Sequence, residues 1–359
     1  MTQPLALHSV HASGGAQFGE RGGQEVVLHQ APGDREYAAA TRTVALLDLS
    51  ARGTLSIRGP DRASFLHGMV TQDIEGLVAE AQTYAAMLTV KGSMVADARV
   101  LKRADELLLD VEPGAAATVL AFLNKYLISE DAELAEVSAE HGHLLVLGPL
   151  AADVVQDVFG AAPPAPGTFR PVAFPGRAAE LLLFHGDPGL RGLELLVPAA
   201  ELEPVWRALD AAVTARGGCA AGLATLEVLR VEAGVPRFFA DMDERTIPLE
   251  ANLERAIHYQ KGCYIGQEVI ARATFRGHVN RKLAGLLLGT QTPPARAELR
   301  VGERKAGFLT TVVASPAVGQ NIALGYVHRD FLAPGTLLEL VGGGMATVVA
   351  LPFVQAPPV

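Results

Sequence analysis

Lys261-Gly262-Cys263-Tyr264-Ile265-Gly266-Gln267-Glu268 sets one of the chain's two cysteines between a lysine and two glycines, just ahead of a run with helical character. A helix opening over Gly266 to Arg272 puts Cys263 near its positive end with Lys261 close by, and both features favour a reactive thiol. Gly262 and Gly266 permit backbone turns that other residues resist, so a ligand or partner can approach the sulfur. The competing reading is a small buried apolar residue, the usual fate of a free cysteine.

Around this stretch the chain has 359 residues, 49% of them hydrophobic, enough for two or three packed domains and a soluble globular protein. A formal net charge of -9 and a pI near 5.6 argue against general binding to nucleic acid or anionic membrane, and favour a small molecule or a protein partner. Apolar runs such as Leu283 to Leu288 fall far short of the roughly 20 residues of a membrane span. The first residues show no secretory pattern, so a cytoplasmic location is the expectation. Cys219 and Cys263 alone suit a reducing compartment without disulfides. Two thiols also leave an all-cysteine iron-sulfur cluster without ligands, so neither an intrinsic cluster nor an intrinsic metal is expected. His141-Gly142-His143 offers two imidazoles on one strand face with no third ligand nearby in sequence, which does not make a metal site.

Taken in order, residues 1–23 read as a flexible arm, followed by a strand at Glu25–His29. A helix capped by Asp34 follows, then a short apolar strand at Leu46–Ser50. Gly53–Arg58 alternates as a strand, Asp61 opens a helix, and Tyr84–Val90 with Ser93–Lys102 forms a hairpin around Lys91-Gly92. Further strands are expected at Glu106–Val111, Leu134–Ala139, His143–Leu147, Leu181–Phe184 and Leu193–Val197. Helices are expected to about Tyr126, over Glu201–Arg216 and over Ala224–Ala233. The Pro-rich stretch Ala161–Gly176 reads as a loop. Beyond Leu283 only short strands separated by Gly and Pro remain, which predicts a small all-β domain. The mixed order points to an α+β fold.

The opening motif, with Ala271-Arg272-Ala273-Thr274-Phe275-Arg276-Gly277 and Asn280-Arg281-Lys282-Leu283 after it, resembles the YgfZ-type folate-binding proteins, relatives of the glycine-cleavage aminomethyltransferase. Leu229-Arg230-Val231-Glu232-Ala233-Gly234 and Pro248-Leu249-Glu250-Ala251 are similar to further elements of that superfamily. The resemblance implies an aminomethyltransferase-like folate-binding body of two intertwined domains with a C-terminal β-barrel. The matching division is a folate-binding domain of residues 24–50 with 141–280, an inserted α+β domain at 51–140, and a barrel at 281–359. It implies tetrahydrofolate or a derivative as cofactor, with Tyr84, Asp97, Arg230, Glu232, Tyr264, Gly266, Gln267 and Glu268 as binding candidates. Cys263, Lys261 and Asp97 are the catalytic candidates.

Two departures stand beside the matches. The superfamily's Gly-Gly-(apolar)₂-Asp-Asp hairpin reads Gly92-Ser93-Met94-Val95-Ala96-Asp97, with one acid gone. Its Gly-Tyr-Thr-Gly-Glu loop, whose Glu holds the pterin, reads Gly186-Asp187-Pro188-Gly189-Leu190. Residues 254–282 carry six cations (Arg255, Lys261, Arg272, Arg276, Arg281, Lys282) against Glu254 and Glu268, a local +4 that reads either as a solvated face or as a field for the anionic tail of a folate. The first expectation is therefore a monomeric folate-binding protein supporting assembly or repair of iron-sulfur proteins, with iron-sulfur client or assembly proteins as partners. The second is a folate-dependent aminomethyltransferase of the glycine cleavage system, and the third a non-enzymatic folate-binding scaffold.

Overall fold

The computed structural model describes residues 2–187, 189–275 and 277–355. Arg276 and Pro188, both parts of the stretches quoted above, lie outside them. The chain divides into two compact units, one of Met1–His67, Asp73–Tyr84 and Ala98–Leu226, the other of Gly68–Gln72, Ala85–Asp97 and Glu227–Val359. The strands Ala81–Leu88 and Met94–Lys102 each run from one unit into the other.

The first unit is built on a six-stranded sheet in the order Phe169–Ala173, Glu180–His185, Gly192–Pro198, His141–Leu147, Ala45–Asp48, Cys219–Ala220. All pairings are antiparallel except the last, where Cys219 pairs with Ala45 in parallel. One face packs on the helices Ala151–Phe159 and Leu202–Ala215, through a core that includes Val154, Leu209 and Trp206. On the other face Leu182, Phe184 and Leu196 meet Leu101 and Leu108 of a five-stranded sheet, whose order is Ala81–Leu88, Met94–Lys102, Glu106–Val111, Gly53–Arg58, Glu133–Glu136. The strands expected for these sheets are present, together with elements the sequence did not suggest, among them a helix and an edge strand. The helix Ala151–Phe159 buries Ala151, Val154 and Val155 at helical spacing. The strand Phe169–Ala173 lies inside the Pro-rich stretch, where Pro171 is tolerated because an edge strand need not donate on its outer side.

Residues expected to form an arm carry a helix, His8–Ser13, and a strand, Gln17–Arg21, paired with Gln24–His29. His11 anchors this segment. It is 1% exposed, its Nε2 lies 2.9 Å from Asp48 Oδ2, and its ring meets the edge of Trp206 at 4.6 Å. The helix Gly33–Arg42 has Pro32 at its cap and no side-chain capping bond. Glu36, not Asp34, fixes it: the fully buried carboxylate accepts from Gln30 N, Ala31 N and Thr225 Oγ1 at 2.6, 2.8 and 2.7 Å.

The second unit holds a closed barrel of six strands: Arg281–Gly289, Gln320–His328, Arg304–Ser315, Glu298–Val301, Leu337–Leu340 and Met345–Val349. Closure removes the edges that six short strands would otherwise expose. The interior is aliphatic, with Leu286, Leu299, Leu309, Leu338 and Val348 packed together. Among the described residues no helix is long and apolar enough to cross a membrane.

Candidate functional site

Five charged or titratable side chains meet in the first unit, four of them on strands and Arg52 in the turn just before Gly53–Arg58. Arg52 Nε donates to Asp110 Oδ1 at 2.6 Å, and Arg99 Nη1 donates to Glu194 Oε2 at 2.7 Å. His143 joins the two halves, with Nε2 2.6 Å from Glu194 Oε2 and Nδ1 3.5 Å from Asp110 Oδ1. Phe184 covers the group, with the Arg99 guanidinium 5.2 Å from its ring centroid. Burial works against every charge here, yet the partners prevail. Despite burial, Arg52 and then His143 hold the Asp110 carboxyl well below the usual carboxylate range. Arg99 followed by His143 overcomes burial to take Glu194 down to about 2. His143 is raised, since burial, which lowers it, is outweighed by Asp110 and Glu194.

Both bonds to Glu194 fall on Oε2. Its Oε1 lies beside Gly186, where a Cβ would come within 2.6 Å of it, so the glycine leaves that oxygen uncrowded. The turn from Gly186 to Gly192, closed by Gly186 N donating to Gly192 O at 3.0 Å, thus presents an ionised carboxylate at Glu194, although position 190 is a leucine. None of Arg52, Arg99, Asp110, His143 and Glu194 was among the site candidates. The available signal was a lone charge inside an apolar strand, as in Leu107-Leu108-Leu109-Asp110-Val111 or Leu193-Glu194-Leu195.

Asp110, His143 and Glu194 offer three ligand-type atoms within 4.8 Å of one another, so a third donor does reach His143. The set does not suit a cation, because Arg52 and Arg99 already bond both carboxylates and would face the ion. His141 is turned elsewhere, with its Nδ1 3.2 Å from Val137 O.

The cysteine motif lies in the second unit. Cys263 is exposed, whereas Cys219 in the first unit is buried. Lys261 Nζ donates to Val70 O and Gln72 O at 2.8 and 2.9 Å and sits 5.0 Å from the Tyr264 ring centroid. Burial, followed by Tyr259, pushes the Tyr264 phenol up to about 12, so it stays protonated at neutral pH. Gln267 opens the helix Gln267–Phe275, and its side-chain Oε1 accepts from Tyr264 N at 3.2 Å, which ties the residue after Cys263 to the first turn. Gly266 has φ +85°, and a Cβ there would lie 2.6 Å from Thr89 O. Gly92 has φ +77°, and its Cβ would lie 2.6 Å from Val269 Cβ. The hairpin turn and the cysteine motif, read separately in the sequence, are therefore interlocked through two glycines. Glu268 is exposed on the same helix.

Asp97 lies on Met94–Lys102, whose residues alternate between buried and half-buried. Ala96 is 1% exposed and Asp97 half-buried, so the missing acid is the one that would have pointed into the core. Tyr84 is half-buried on Ala81–Leu88 and belongs to the first unit, while Asp97 belongs to the second. Arg230 and Glu232 are engaged inside the second unit. Arg230 donates to Asp241 Oδ2 at 2.7 Å and to Thr311 Oγ1 at 3.0 Å, and Glu232 accepts from Ser315 Oγ. These bonds fasten the helix Leu223–Glu232 to a barrel strand.

A sequence model of the GCVT N-terminal domain matches residues 7–261, and one of the glycine cleavage T-protein C-terminal barrel domain matches residues 281–355. The chain belongs to the glycine cleavage T-protein family. Relatives in this family are an aminomethyltransferase of Moorella thermoacetica, 28% identical over 98% of this chain and 97% of that protein, and one of Pelodictyon phaeoclathratiforme, 30% identical over 97% and 98%. The fold matches the crystal structure of glycine cleavage system aminomethyltransferase T from Bartonella henselae, with a TM-score of 0.87 at 24% identity over 99% of this chain and 98% of that one. The T-protein fold expected from the resemblance is thus present. These relatives bear the name of the activity placed second above, not first.

Proposed function

We propose that this T-protein family member is a tetrahydrofolate-dependent aminomethyltransferase. The observation that carries the reading is the buried, ionised Glu194, whose Oε2 is taken by Arg99 and His143 and whose Oε1 is kept clear by Gly186. A pterin ring presents adjacent N–H donors, and a carboxylate fixed in this way is their natural acceptor. Tetrahydrofolate, when bound, supplies the nucleophilic nitrogen that accepts the one-carbon unit. The chain's own residues hold and orient the ring: Glu194 by hydrogen bonding, with Arg99 and His143 keeping it charged. Asp97, the half-buried acid that remains of the pair, is the group assigned to proton handling. The test is methylene-tetrahydrofolate formation by purified protein from an aminomethyl-bearing donor and tetrahydrofolate. Asp97→Asn is expected to lower the rate by about 10² or more, the usual weight of general acid–base catalysis. Failure of the wild-type protein to turn over while still binding tetrahydrofolate removes the enzyme reading.

The exposed Cys263 favours a second reading, in which a folate-binding protein serves iron-sulfur proteins through its thiol. Rescue of iron-sulfur enzyme activity in a deletion strain by wild type but not by Cys263→Ser supports it, and equal rescue by both removes it.

A further inference from the structure

The first unit also contains a cleft of about 340 Å³ that shares no residue with the ionic cluster. Trp206 and Cys219 line it and are 4% and 8% exposed; burial pushes the Cys219 thiol up, so that part of the wall is apolar and neutral. Arg35 and Asp210 line it as well. Among the described residues neither side chain forms an ion pair or a hydrogen bond to another residue's side chain, and burial raises the Asp210 carboxyl. Two polar atoms of the wall also lack partners. His11 Nε2 lies 2.9 Å from Asp48 Oδ2, and its Nδ1 has no partner among the described residues. Gln30 directs its amide N–H to His11 O at 3.2 Å, which leaves Oε1 unmet. Buried polar groups without partners are rare in native proteins, and two beside one cleft call for a polar partner from outside the chain.

An amine alone would answer Asp210 and Gln30 Oε1 and leave Arg35 unanswered; a carboxylate alone would do the reverse. We infer that this cleft binds a free α-amino acid with an apolar side chain, its ammonium toward Asp210, its carboxylate toward Arg35 and its side chain against Trp206. A cavity of this size accommodates a ligand of that class. None of these residues enters the folate reading, so the two proposals stand or fall separately.

Titration calorimetry of the full chain tests it with L-leucine, and with 3-methylbutylamine and 4-methylpentanoate as the two one-charge counterparts. Saturable L-leucine binding is expected, with both counterparts at least about tenfold weaker. Arg35→Ala and Asp210→Asn are each expected to weaken L-leucine by about tenfold or more while tetrahydrofolate binding stays unchanged. Arg35 is exposed, so its replacement does not threaten the fold. No saturable heat at millimolar L-leucine overturns the inference. So does binding that is equal for the three ligands, or indifferent to both substitutions.

Discussion

At the level of single residues, Glu194 is held between a guanidinium and an imidazole, and its value to a ligand depends on its charge. Glu194→Gln keeps the shape and removes that charge, so tetrahydrofolate binding is expected to weaken by at least about tenfold in a calorimetric titration. Glu194→Ala goes further and leaves Arg99 and His143 buried without their partner, a loss of roughly 3–5 kcal/mol in a urea melt. The cluster also imposes a pH dependence. His143 is raised, so its contribution is complete below the unfolded value of about 6.5 and fades as pH climbs through the folded value. Asp110 and Glu194 are lowered, so theirs is complete above about 4.3 and fades as pH falls toward the folded values. The melting-temperature gap between wild type and His143→Gln should therefore be widest near pH 5 to 6 and shrink toward pH 9. A gap that is flat or widens with pH contradicts the assignment. Cys263 and Cys219 differ in access alone by enough to predict iodoacetamide labelling of the first and near-silence of the second.

At the level of elements, two glycines decide how the cysteine motif is presented. Gly266→Ala introduces a methyl 2.6 Å from Thr89 O at a φ of +85°, so a stability loss of about 1–3 kcal/mol is expected on strain alone, and more from the clash. Gly302→Ala, at φ +58° with nothing within 4 Å, isolates the strain from the clash and should cost less. Equal urea midpoints for the two variants would show that the contact to the hairpin carries no weight. The glycines of this motif were legible in the sequence, as were most strands and the all-β C-terminal segment, because alternation and Gly/Pro punctuation are local signals. The ionic cluster was not legible, because Arg52, Arg99, Asp110, His143 and Glu194 come from five separate segments, and only pairing of the strands brings them together. The same holds for residues 1–23, where a Gly-rich composition suggested an arm while one buried His11–Asp48 contact makes it part of the first unit. The engagement of Arg230 inside the second unit was equally invisible, since its partners Asp241 and Thr311 lie 11 and 81 residues away.

For the molecule as a whole, the two proposed ligands act on one folding equilibrium, and linkage then gives a comparison that no single-site assay offers. A ligand that binds only the folded chain stabilises it by about 2.7 kcal/mol at one hundred times its dissociation constant. Tetrahydrofolate and L-leucine, engaging residue sets with no member in common, should raise the unfolding midpoint additively, within the few tenths of a kcal/mol expected for independent sites. Glu194→Gln should shrink the tetrahydrofolate increment and leave that of L-leucine unchanged, whereas Asp210→Asn should do the opposite. Thermal melts of wild type and the two variants, each with neither, either or both ligands, supply every increment needed. If one substitution erases both increments, the sites are coupled through the sheet that carries Glu194 and Cys219, and the picture of two independent sites fails.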